Sequence, residues 1–113
     1  MQINIKILIL EDDIISAKII KDELIAHQLQ FSFLRVETKE EFINAIQDFQ
    51  PDIILSDFML SNIRGSEALG IATKVVPETP FIFVTDMLSE EKVVEYIQEG
   101  AWDYVVKERL FKL

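Results

Sequence analysis

Glu11, Asp12, Asp57, Thr85 and Lys107 carry the groups from which phosphoryl transfer to a carboxylate can be assembled: three acids, a hydroxyl and an ammonium. All of them fall at the end of short apolar runs. Ile53-Ile54-Leu55 leads to Asp57, Ile7 to Leu10 leads to Glu11-Asp12-Asp13, Phe81 to Val84 leads to Thr85, and Trp102 to Val106 leads to Lys107. Brought to one edge, the acids repel one another, and at a separation of ~5 Å and an effective dielectric of ~20 each pair costs about 3 kcal/mol. A cation must offset that cost. Lys107 neutralises one charge, and an all-oxygen site without His or Cys favours Mg2+, with Mn2+ as the alternative. In such a site Asp12 and Asp57 hold the metal and Glu11 acts through water. Asp57 attacks phosphorus in line, Lys107 pairs with the phosphoryl group, and the Thr85 hydroxyl donates a hydrogen bond to it. Asp13 reads as a helix cap, and His27 as a helix-end residue and not a ligand.

The elements that must position these groups alternate in type. Ile3 to Leu10 is apolar almost throughout (Ile5, Ile7, Leu8, Ile9, Leu10), β-branched and short, the signature of a strand buried on both faces of a parallel sheet. From Ile14 the spacing turns helical, with Ile15, Ile19 and Leu24 on the expected apolar face. Phe31, Phe33 and Val36 mark a second strand, and Thr38 with Glu41 forms a capping box that opens a helix faced by Phe42, Ile43, Ala45, Ile46 and Phe49. Pro51 stops it before the Asp57 strand. A loop over 58–64 then leads through a tight turn at Gly65 into a helix to about Val75. Pro80 opens a fourth strand, Ser89 and Gly100 bracket a helix, and 102–106 is a fifth strand. Glu108 to Leu113 reads as the opening of a further helix, cut short. Five βα units imply a parallel sheet with right-handed crossovers and helices on both faces, so every strand end lies on one edge.

Composition limits the alternatives. The chain has 113 residues, half of them hydrophobic, 27% charged and a mean hydropathy of +0.22, which suits one compact domain over 1–113. A net charge of -9 argues against direct nucleic-acid binding. Cysteine is absent, so thiol chemistry is excluded, and no apolar run is long enough for membrane insertion. The chain reads as soluble and cytoplasmic.

At this point the residues resemble the receiver domain of two-component response regulators, a flavodoxin-like fold exemplified by the chemotaxis regulator. The resemblance covers Lys6 to Leu113 and rests on ILILEDD at 7–13, PDIILSDFML at 51–60 with Gly65, FIFVT at 81–85 and GAWDYVVK at 100–107. It implies a doubly wound five-stranded sheet of order 2-1-3-4-5 and a Met59 backbone carbonyl as a metal ligand. It also implies that the phosphoryl donor is a phosphohistidine on a histidine kinase or phosphotransfer domain. Tyr104 matches the aromatic switch position, and the face of helix four, strand five and helix five is expected to change partners: a downstream protein, an attached output domain or a second copy in a homodimer. Such a domain catalyses its own phosphorylation and dephosphorylation as a signalling module and is no turnover enzyme. Lys107-Glu-Arg-Leu resembles receivers joined to sensory or histidine-kinase modules, a resemblance that would make the chain a piece of a larger protein. Three positions depart from the pattern: Ser61 and Glu108 stand where Pro is common, and Asp86 where Ala or Gly is usual.

Three other readings compete. A degenerate receiver, acting as a phosphorylation-independent interaction module, is motivated by Asp86 and Glu108 and opposed by the intact Asp57, Lys107 and acidic pair. A flavin-binding module would need a Gly- or Ser/Thr-rich phosphate loop after the first strand. A phosphatase with an Asp nucleophile would need a second Asp at position 59, where Met59 stands. Asp86 adds a like charge beside the phosphoryl site, so Asp86→Ala is expected to change the lifetime of the phosphorylated form. Phosphorylation and dephosphorylation rates that both match the wild type would contradict this.

Overall fold

The computed structural model describes residues 4–58, 60, 62–85 and 90–106. Nine elements alternate along them: β1 (Ile5–Leu10), α1 (Ile14–Ala26), β2 (Phe31–Val36), α2 (Lys39–Asp48), β3 (Ile53–Ser56), α3 (Gly65–Val75), β4 (Phe81–Thr85), α4 (Glu90–Gln98) and β5 (Asp103–Val106). The strands form one parallel sheet of order β2-β1-β3-β4-β5, as expected. The short helix expected over 108–113, and Ser89 as a cap, lie outside the described residues.

Both faces of the sheet are covered, which is why its central strands read as unbroken apolar runs. Leu8 and Leu10 of β1 point into one core with Phe42 and Ile46 of α2, Leu69 and Ala72 of α3, and Tyr96 of α4. Ile7 and Ile9 point the other way, into a smaller cluster with Ile20 of α1, Leu55 and Val84.

The face of α1 differs from expectation. Ile15 is 70% exposed, while Ala17 and Ile20 are buried and Leu24 is half-buried. Aliphatic residues stand all the way around this helix, so spacing alone offers several stripes; Ala17, Ile20 and Leu24, at i, i+3 and i+7, form the one the sheet accepts. The ends of the helix match the reading. Asp13 accepts from Ile15 N–H at 3.1 Å and from Ser16 Oγ at 2.8 Å, and His27 is the C-cap, 3.9 Å from Glu23. In α2 the capping box is complete, with Thr38 Oγ1 accepting from Glu41 N–H at 3.1 Å and Glu41 Oε1 accepting from Thr38 N–H at 3.2 Å.

Two features place β5. Gly100, at φ +117°, ends the α4 segment in a conformation that disfavours side chains, and a Cβ there would fall 2.7 Å from Thr73 Cγ2. Trp102 N–H then donates to Phe81 O at 2.8 Å, which sets β5 alongside β4. Phe81 and Phe83 are core, whereas Trp102, included in the strand expected over 102–106, precedes β5 and is 59% exposed.

Candidate functional site

The carboxyl edge is built by strand register. Leu10 pairs with Ser56, Ser56 with Phe83, and Thr85 with Val106, so the strands β1, β3, β4 and β5 finish close to one line. One step past the ladder, Asp57 N–H donates to Leu10 O at 3.0 Å and Glu11 N–H donates to Val36 O at 3.0 Å. These bonds carry the strand geometry into the acidic residues and bring Glu11, Asp12 and Asp57 to the same edge, where β1 lies between β2 and β3 and the chain order reverses. In open α/β sheets such a reversal opens the crevice that binds ligands.

Glu11 is buried at 1% exposure, whereas Asp12 and Asp57 are half-buried. A carboxylate that deep requires compensating charge or hydrogen bonds. Among the described residues no three His, Cys, Asp or Glu side chains group into a ready metal-binding cluster. A small hard cation does not demand one, because Mg2+ takes one or two carboxylates and keeps several waters. Asp12 and Asp57 could supply two such ligands, Glu11 is near enough in sequence to act through water, and His27 is far away at the end of α1. The oxygen-only donor set therefore fits a hard divalent ion.

Of the expected site residues, Met59 and Lys107 lie outside the described residues, as do Asp86, Ser61 and Glu108. Thr85 is placed by its backbone at the end of β4, opposite Val106. Tyr104 sits on β5 opposite Phe83, half-buried against the larger core.

Four residues that sequence reasoning passed over support this edge. Ser56, fully buried, donates from Oγ to Asp57 O at 2.8 Å and so ties down the peptide after Asp57. Its signal was visible: a polar residue closing an apolar strand. Arg35 Nη1 donates to the Glu11 backbone carbonyl at 3.1 Å and to Glu37 Oε1 at 3.1 Å. Phe58, the residue after Asp57, packs against Tyr96 at 4.8 Å between ring centroids and against Phe83 at 5.9 Å, and Phe83 meets Tyr96 at 5.3 Å. Phe58 and Tyr96 are far apart in sequence, and no local pattern joins them. Gly65 closes the same loop. A Cβ there would come within 2.9 Å of both Phe58 Cα and the Phe83 ring, and its N–H donates to Phe58 O at 3.3 Å. The residue is needed for close approach of backbones, not for a left-handed turn.

A family model described as the response regulator receiver domain matches residues 7–111. Among curated proteins the chain is similar to the transcription factor SKN7 of Saccharomyces cerevisiae, 27% identical over 97 residues, or 79% of this chain and 16% of that protein. The regulatory protein LuxO of Vibrio cholerae is 32% identical over 72 residues, 64% of this chain and 16% of LuxO. The chain thus spans about a sixth of the length of these relatives. Among solved structures, a response regulator from Hahella chejuensis superposes with a TM-score of 0.84 at 21% identity, covering 94% of this chain and 82% of that one. The Mn(2+)-bound form of response regulator Rcp1 gives 0.81 at 19% identity, covering 95% and 86%.

Burial pushes the Tyr96 phenol above its usual value; Lys92 opposes the shift, and Glu95 and Glu99 add to it. As pH rises, the unfolded chain gives up this proton first, near the ordinary phenol value of about 10. The stability that Tyr96 contributes is therefore complete below that value and is lost as pH climbs through the higher folded-state value. Urea denaturation from about pH 8 to 11 should show stability falling more steeply in wild type than in Tyr96→Phe. Parallel curves would contradict the assignment.

Proposed function

Because this chain belongs to the response regulator receiver domain family, matched over residues 7–111, we propose that it is a phosphoacceptor that takes a phosphoryl group from a phosphohistidine onto Asp57. The observation that carries this reading is the bond from Asp57 N–H to Leu10 O, which sets Asp57 beside Glu11 and Asp12 at the carboxyl edge.

In the proposed reaction a carboxylate oxygen of Asp57 attacks phosphorus in line. The bond from phosphorus to the donor imidazole nitrogen breaks, and the nitrogen keeps the electron pair. Lys107 pairs with the transferring oxygens, and the Thr85 hydroxyl donates a hydrogen bond to them. Asp12, Asp57 and the Met59 carbonyl would hold Mg2+ or Mn2+, with Glu11 acting through water, and the ion would neutralise charge on the transferring group. Hydrolysis of the acyl phosphate returns Asp57 to its resting state, so the chain catalyses its own modification without being a turnover enzyme.

The donor is a histidine kinase or phosphotransfer domain, and the change is read at the face of α4 and β5 and of the helix expected from the sequence after them, with Thr85 and Tyr104 as the switch. Val94 and Ile97 of α4 and the neighbouring Trp102 are exposed there, which suits a surface that exchanges partners. The reader is a downstream protein, an attached output domain or a second copy. Residues 1–113 act as one receiver domain, and the proposed setting is the cytoplasm, in keeping with the lack of cysteine and of any described helix long and apolar enough to cross a membrane.

Incubation with acetyl phosphate and Mg2+, followed by intact mass measurement, tests the reading. The expected result is one added phosphoryl group on wild type and none on Asp57→Asn. No adduct on wild type would overturn it in favour of a degenerate receiver that binds partners without phosphorylation.

A further inference from the structure

Both backbone polar groups of Glu11 are held from β2. The N–H donates to Val36 O at 3.0 Å, and the carbonyl accepts from Arg35 Nη1 at 3.1 Å. The carbonyl oxygen belongs to the peptide plane that joins Glu11 to Asp12, so fixing it limits ψ of Glu11 and φ of Asp12. Those two angles set the direction in which the Asp12 side chain leaves the backbone. Arg35 is itself tethered: the same nitrogen donates to Glu37 Oε1 at 3.1 Å, and the side chain is only 27% exposed.

We infer that Arg35 is a positioning residue for the divalent-cation site, acting through the Glu11 carbonyl to aim the Asp12 carboxylate. The inference rests on the reading of Asp12 and Asp57 as cation ligands given above. It differs from what net charge alone would suggest. A guanidinium beside an acidic edge competes with a bound cation, so a purely electrostatic role means that removing Arg35 tightens Mg2+ binding. Here the guanidinium is already matched by Glu37 at 3.1 Å, which leaves the pair with little outward field. Geometric support then outweighs repulsion, and losing it weakens binding. Groups hydrogen-bonded directly to a metal ligand typically contribute about 10- to 100-fold in affinity, and Arg35, which acts one residue back at the Glu11 carbonyl, is placed at the lower end of that range.

Calorimetric titration of the full chain with Mg2+ separates the two roles, using wild type, Arg35→Ala, Arg35→Lys and Asp57→Asn, each checked by circular dichroism and melting in metal-free buffer. Arg35→Ala should bind Mg2+ about 10-fold more weakly, at low and high salt alike. Arg35→Lys, which keeps the charge but loses the planar fork, should also weaken binding, though by less. It serves alone if Arg35→Ala does not fold. Unchanged or tighter binding in the folded variants overturns the positioning role while leaving the cation site intact. No Mg2+ binding by wild type overturns the cation site itself, and the positioning role with it.

Discussion

Glu11, Asp12 and Asp57 would separate freely in an unfolded chain, yet the backbone of this sheet holds them together. The ladder between β1 and β3 ends on Leu10 and Ser56, and the next bond, from Asp57 N–H to Leu10 O at 3.0 Å, extends it into the acids. The rest of the site follows from that enforced proximity. Packing on both faces of the sheet keeps the strands in register against the repulsion, with Ile7 and Ile9 anchored in one cluster and Leu8 and Leu10 in the other. A bound cation would offset what burial and register impose.

The loop after Asp57 is held from three sides. Ser56 ties the Asp57 carbonyl, Gly65 lets the start of α3 approach Phe58, and the Phe58 ring sits against Tyr96 and Phe83. Arg35 does the corresponding work for the loop after β1. The described backbone on either side of Asp57 is therefore tethered, and α4 touches it through Tyr96. That contact joins the loop after Asp57 to the same helix that exposes Val94 and Ile97.

Much of this was legible in the sequence. Elements were readable where a local rule suffices: the Thr38 and Glu41 box, the Asp13 cap, and apolar runs ending on polar residues. The acids were readable as a set because parallel strands leave only one edge on which their ends can meet. Other features depend on tertiary fit. Ile15 and Ala17 compete for the buried side of α1, and the smaller residue is the one inside. Trp102, the largest apolar side chain, is exposed and lies one residue before β5. Arg35 sits in β2 with no spacing signal, since its partner, the Glu11 carbonyl, is a backbone atom on another strand. Phe58 and Tyr96 likewise meet only after the chain has folded.

The central claim is that acids crowded at the carboxyl edge destabilise the empty site and that a bound divalent ion reverses this. Thermal unfolding of wild type and Asp57→Asn, each with and without Mg2+, tests it most directly. Without metal, Asp57→Asn should melt above wild type because one repelling charge is gone. Mg2+ should then raise the wild-type midpoint, by an amount equivalent to about 2.7 kcal/mol when the ion is at 100 times its dissociation constant, and raise that of Asp57→Asn far less. A wild-type midpoint indifferent to Mg2+, together with no metal-free gain in Asp57→Asn, would contradict the account.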